Sequence, residues 1–260
     1  MCGGRARCST CRVRVTAGSE HCPAPGPDET ATLARIEAPE GVRLACQLRP
    51  QGDIAVLPLL TVGAVGGELA RGPACVEREL VVMLTAWRDY EAFSRGHLPQ
   101  DVVFFTGWFQ QAVIQGVRAT GGSECEVAAD AVLAVFGVES ELGAACRDAL
   151  AAAQAVERAL RSLEERIARA FGGTASFAVA LDAGRLAIAN VETTATRRLL
   201  VAGEAIDGVS RLRSLPALAR VDVSVSTRVY EKAKEKPSGE KITLALADGT
   251  EIEACRRYVH

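Results

Sequence analysis

The sequence predicts an α+β chain in two domains, and three observations carry that expectation. Its 260 residues exceed one average domain, at about 100–200 residues per domain. The stretch from Thr61 to Ala74 (TVGAVGGELARGPA) is Gly-rich and reads as a linker. After Val76, apolar runs of strand length alternate with longer stretches of helical spacing. The expected organisation is a first domain over 1–60, a linker over 61–76 and a second domain over 77–260.

Each element has its own signal. In the Gly-, Pro- and Arg-rich first part, Arg12–Val15 and Asp53–Leu57 are strand-like. Leu80–Thr85 (LVVMLT) reads as a buried strand. Pro99 to Ala119 carries helical apolar spacing through Val102, Val103, Phe109, Val113 and Val117, with Gly121-Gly122 as the stop. Val132–Phe136 is a second apolar strand, and Ser140 to Ala170, rich in Ala, Arg, Glu and Leu, is helical. Phe177–Leu181 and Leu186–Val191 read as two strands joined by an Asp182-Ala183-Gly184 turn. Ile206–Leu215 is a short helix, Val221–Val225 a strand, and Ile242–Leu246 with Glu251–Ala254 a hairpin about Asp248-Gly249.

Composition narrows the function classes. The chain is 48% apolar and 24% charged, which excludes disorder. A net charge of -2 gives no whole-chain reason to expect nucleic acid or a membrane surface as partner. No apolar run spans a bilayer, since Ile54 to Leu69 is broken by Pro58, Gly63, Gly66, Gly67 and Glu68. The expected setting is a reducing compartment, the cytoplasm, in which nine cysteines are thiols or metal ligands.

Five of the nine cysteines fall in the first 46 residues, in the pattern Cys2-x5-Cys8-x2-Cys11-x34-Cys46 with Cys22 between. Four thiolates hold either a structural zinc or a [2Fe–2S] cluster. A single C-x2-C pair with a solitary fourth Cys, and Gly3-Gly4 after the first, favours the cluster. CGGRARCSTCRVRV followed by VRLACQLRPQGDIAV resembles the cluster-binding half of adrenodoxin-type [2Fe–2S] ferredoxins. The resemblance implies a β-grasp fold with Cys2, Cys8, Cys11 and Cys46 as ligands, and Cys22 as a small apolar filler. Such ferredoxins place two strands and a helix before the first ligand, so a longer N-terminus is expected.

Residues 79–137 and 176–215 resemble a class III nucleotide cyclase, the adenylate/guanylate cyclase family. RELVVMLTAWRDYEAFS, LPQDVVFFTGWFQQAV, GGSECEVAADAVLAVFG, ALDAGRLAIANV and VAGEAIDGVSRLRSL carry the likeness. It implies a ferredoxin-like α/β sandwich that dimerises, and attack of a nucleoside triphosphate's 3′ hydroxyl on its own α-phosphate with two metal carboxylates. The first carboxylate position falls on Ala86, with Asp89 three residues on, and the second on Asp130. Base-reading positions fall on Glu126, which suits guanine, and Arg198, which suits neither base. The transition-state Asn and Arg positions fall on Asp207 and Arg211. No Lys occurs from residue 1 to 231, so no shift of register restores an adenine-reading Lys.

The expected function is redox-linked signalling: a [2Fe–2S] module fused to a degenerate cyclase domain that dimerises with a second copy without turnover. Possible partners are a redox protein and a nucleoside triphosphate, and Mg or Mn only if the domain is active. The alternatives are an active redox-gated cyclase making cAMP or cGMP, and an electron carrier with a docking domain. Cys75, Cys125, Cys146 and Cys255 are expected to be inert thiols, and Trp87 and Trp108 to be core or dimer-surface residues.

Overall fold

A computed structural model describes residues 4–59, 75–192, 197–245 and 249–258. The chain divides into two compact units, Met1–Val76 and Glu77–His260. The expected linker lies outside the described residues up to position 74, and its last two residues already belong to a strand.

In the first unit, β1 (Arg12–Ala17) is flanked by β2 (Val42–Leu44) and β3 (Ala55–Pro58) in an antiparallel sheet of order β2-β1-β3. Helix α1 (Pro27–Arg35) starts on Pro27, whose fixed φ suits a first helical position, with Asp28 and Glu29 in its first turn. Its Glu29 is buried and takes a two-pronged contact from Arg43 on β2, with both N···O distances 2.9 Å. The Leu44 N–H also donates to Glu29 (2.8 Å), so one carboxylate locks helix to strand. Burial alone would raise this carboxyl; Arg43 and the Leu44 N–H outweigh it and hold Glu29 below its ordinary value. The apolar core here is small: Ala6, Val13, Val42, Leu44 and Leu48. Gly18, at φ 75°, lies so close to the Asp53 carbonyl that a Cβ would not fit.

The second unit is an eight-stranded sheet. It comprises β4 (Cys75–Trp87), β5 (Ser123–Val127), β6 (Ala131–Phe136), β7 (Phe177–Glu192), β8 (Arg197–Gly203), β9 (Val221–Ser226), β10 (Glu240–Ala245) and β11 (Glu251–Tyr258). The order is β10-β11-β9-β7-β4-β6-β5, with β8 pairing the far half of β7. The helices are α2 (Tyr90–Gly96), α3 (Pro99–Arg118), α4 (Leu142–Phe171), α5 (Glu204–Arg213) and α6 (Thr227–Ala233). Strand alternation sorts the core into two faces. Val81, Met83 and Trp87 of β4 point toward α3 and α4, whereas Leu80, Val82 and Leu84 point toward α5. Gly116 on α3 lets that helix approach Val156 on α4, where a Cβ would meet the Val156 Cγ2 at 2.7 Å.

One expectation is corrected. Residues 177–192 form a single strand, without a turn at Asp182-Ala183-Gly184. Asp182 is fully buried in mid-strand; Gly184 on β7 lies close to Glu204 and Ala205 of α5, and Gly208 on α5 lies close to Asp182, so the glycine after Asp182 serves strand–helix packing instead of a chain reversal. Strand pairing with β9 over 177–181 and with β8 over 186–192 carries β7 straight through. Among the described residues no helix is long and apolar enough to cross a membrane.

Candidate functional site

The first unit gathers its thiols at one end of its sheet. Cys11 directly precedes β1 and Cys46 closely follows β2, and the pairing Arg12 with Leu44 sets them side by side. Their sulfurs lie 3.3 Å apart. Cys8 sits in the loop before β1, its sulfur 3.0 Å from the Thr10 hydroxyl oxygen. Burial, then the nearby Cys46 and Cys8 sulfurs, push the Cys11 thiol up. Cys2 lies outside the described residues. The Gln47 amide donates to the Gly4 carbonyl (2.5 Å) and lies 3.7 Å from the Cys46 sulfur, which pins the loop that leads to Cys8. Thr32 on α1 donates to the carbonyl of Ala6, a buried residue held at φ 53°. The donor set is sulfur only, which fits an iron–sulfur cluster. Cys22 sits apart from these thiols, half-buried, its sulfur facing the Gly18 carbonyl at 3.8 Å.

In the second unit the positions expected from the sequence split between two places. Ala86 ends the paired part of β4, opposite Ala131, and is 1% exposed. Asp130 adjoins it, because the Trp87 N–H donates to the Asp130 carbonyl (2.8 Å), and its side chain is half-buried. Asp89, three residues beyond Ala86, accepts the Ser176 N–H at one carboxylate oxygen (2.9 Å). Among the described residues of the second unit no group of three or more His, Cys, Asp or Glu side chains could hold a metal ion. Of the two strand-end positions that the resemblance assigns to metal, only Asp130 is a carboxylate, so the residues present do not fit a two-carboxylate Mg or Mn site.

Glu126 is exposed on β5, beside a bulge opposite Leu133. Arg198 pairs with Val191 on β8, and its side chain lies outside the described residues. Asp207 and Arg211 stand one turn apart on the exposed side of α5, whose inner side buries Ala205, Val209 and Leu212. Among the described residues no hydrogen bond or ion pair joins Asp130 or Glu126 to Asp207 or Arg211. Cys125, Cys146 and Cys255 are buried; burial pushes Cys125 up to about 12 and Cys146 up to about 11, so both are inert thiols. Trp87 is core and Trp108 is partly buried, while the Cys75 side chain lies outside the described residues.

Two buried carboxylates escape a reading of motifs. Asp222 on β9 takes Arg88 (2.7 Å) and Arg256 (2.9 Å), and accepts N–H bonds from Leu218 and Ala219. Asp182 accepts the Ala183 N–H (2.8 Å) and faces Arg228 at 3.6 Å, which also contacts Glu204 at 3.2 Å. Burial pushes Asp182 up. The signal available in sequence was a lone Asp inside an apolar strand, VDVSV and VALDA.

A sulfur-lined loop on a small sheet, joined to a sandwich of helices on a mixed sheet, defines a fusion of an iron–sulfur module with a nucleotide cyclase-like domain. The comparisons agree. Residues 1–51 match the 2Fe-2S iron-sulfur cluster binding domain, so the chain carries an N-terminal [2Fe–2S] ferredoxin domain. The rest has the fold of class III adenylyl and guanylyl cyclases. The guanylyl cyclase Cya2 is similar at TM-score 0.62 and 16% identity, over 71% of this chain and 92% of that one. The adenylyl cyclase CyaB from P. aeruginosa is similar at 0.62 and 16%, over 70% and 94%. A dimeric guanylyl cyclase domain of the RhoGC fusion protein from Blastocladiella emersonii is similar at 0.56 and 15%, over 69% and 96%. No curated protein matches the chain by sequence.

Proposed function

We propose that the protein is a redox-linked signalling component whose cyclase-like domain pairs with a second copy and does not cyclise nucleotides. Cys2, Cys8, Cys11 and Cys46 would hold the [2Fe–2S] cluster, which supplies one-electron chemistry when bound. The chain's own part is positional: Gln47 and Thr32 fix the loop, and the Glu29–Arg43 contact fixes the strand that leads to Cys46. The pairing surface would include the exposed Val127 on β5 and Leu200 on β8. A nucleoside triphosphate would meet Asp130 of one copy with Glu126, Arg198, Asp207 and Arg211 of another. Asp207 adds an anion facing the phosphates, which disfavours that complex.

The observation that carries the reading is Ala86. A buried methyl group occupies the strand end where the resemblance would place the first metal carboxylate, and Asp89, three residues on, has one carboxylate oxygen on the Ser176 N–H. The full chain, incubated with Mg²⁺ or Mn²⁺ and either ATP or GTP, is expected to release no cyclic nucleotide. Turnover that Asp130→Ala abolishes would overturn the reading.

A further inference from the structure

The charges around the thiol loop follow a pattern that cluster binding alone does not require. Five arginines surround the loop: Arg5, Arg7, Arg12, Arg35 and Arg49. Three are anchored to it through main-chain carbonyls. Arg12 donates to Ser9 (3.0 Å), Arg35 to Arg7 (3.2 Å), and Arg49 to Cys46 (3.1 Å) and Leu48 (2.9 Å). None of the five meets a carboxylate within ion-pair distance among the described residues. By contrast Arg43, Arg88, Arg220, Arg256 and Arg257 each have one.

The acidic residues of the unit lie mostly elsewhere. Glu29 is consumed by Arg43. Glu20, Glu40 and Asp53 lie toward the opposite end of the sheet, where β1 ends, β2 begins and β3 begins. Near the loop stand Asp28, which lines a hollow with Arg5 and Arg7, and Glu37, two residues beyond Arg35. Five guanidiniums against two carboxylates leave the thiol end cationic around a net-anionic centre. The module is a charge dipole with its redox end positive.

We propose that this arginine rim is the docking surface for an acidic protein, the electron-transfer partner of the [2Fe–2S] module; this rests on the cluster assignment above. The chemistry of the rim favours carboxylates. Unlike the ammonium of Lys, which is absent from this unit, guanidinium presents a planar fork that carboxylates take in pairs. Residues 1–59 contain no Phe, Tyr or Trp, so a single-stranded nucleic acid would find no stacking platform. Opposite charge at the redox end also orients a partner so that its acidic face meets the cluster before close contact.

The test uses the full-length protein after anaerobic cluster reconstitution, with the visible spectrum recorded for every sample. Arg5→Glu and Arg7→Glu are the informative variants, because both side chains are exposed and neither makes a side-chain hydrogen bond among the described residues. Arg14→Glu, exposed on β1 outside the loop, is the control. A fluorescently labelled oligo-glutamate peptide is titrated by anisotropy, and the reduced cluster is oxidised in stopped flow by anionic ferricyanide and by a cationic cobalt(III) complex. Peptide affinity and ferricyanide rate should both fall as salt rises. The double variant should lower each about tenfold and speed the cationic oxidant, while Arg14→Glu changes them less than twofold. A normal cluster spectrum with equal effects from rim and control variants would overturn the proposal. So would tighter binding of a single-stranded oligonucleotide of matched charge. A missing cluster spectrum in the unaltered protein would instead overturn the cluster assignment on which the proposal rests.

Discussion

Glu29 and Asp182 are both buried carboxylates, and their environments push them in opposite directions. Glu29 is held below its ordinary 4.5 by Arg43 and the Leu44 N–H, so its ionised form stabilises the first unit above that value. That contribution should fade as pH falls through 4.5 toward the lower folded value. Glu29→Gln should cost about 3–5 kcal/mol, because Arg43 is left buried without its charge partner; chemical denaturation of the first unit measures it. Asp182 is raised above 3.8 by burial, so the sign reverses: its ionisation weakens the fold as pH rises from 3.8 to its folded value. Asp182→Asn should therefore be neutral or stabilising by about 1 kcal/mol at pH 7, since an Asn oxygen still accepts the Ala183 N–H. Gly208→Ala should destabilise by about 1–3 kcal/mol, because a Cβ there runs into the Asp182 carboxylate.

Strands β4, β9 and β11 are tied together at one end by Asp222, which receives Arg88 and Arg256. Asp222→Ala should lower the stability of the second unit by about 3–5 kcal/mol, seen in denaturation midpoints, since the buried Arg256 and the half-buried Arg88 lose their counter-charge. Strands and helices of strong period were legible beforehand. The apolar spacing of α3 and the run of β6 are in the structure where the sequence put them, because burial of one face alone determines them. β7 was not legible, because a buried Asp beside a Gly imitates a turn until the helix that covers it is known. α6 was missed because seven residues carry too little periodicity, and β2 because three residues carry almost none. The iron–sulfur domain was legible from cysteine spacing, and the structure sets Cys11 beside Cys46 as that spacing leads one to expect. The contact between Asp89 and the Ser176 N–H was not legible, because the two residues lie 87 positions apart in sequence.

At the scale of the whole chain, a small module with five buried apolar side chains among its described residues precedes a sandwich with an extensive two-faced core. The module therefore depends on its metal centre far more than the sandwich does. Chelating the iron should open amide exchange across residues 12–58 while the strands from 77 onward stay protected, as hydrogen exchange with mass spectrometry would record. The redox centre and the cyclase-like domain share one chain, so the account stands on whether nucleotide chemistry survives in either redox state. Cyclic nucleotide release from Mn²⁺-ATP and Mn²⁺-GTP, measured on the same reconstituted protein before and after dithionite reduction of the cluster, tests this most directly. The account predicts no product in both states; turnover that appears in one redox state and disappears in Asp130→Ala would contradict it.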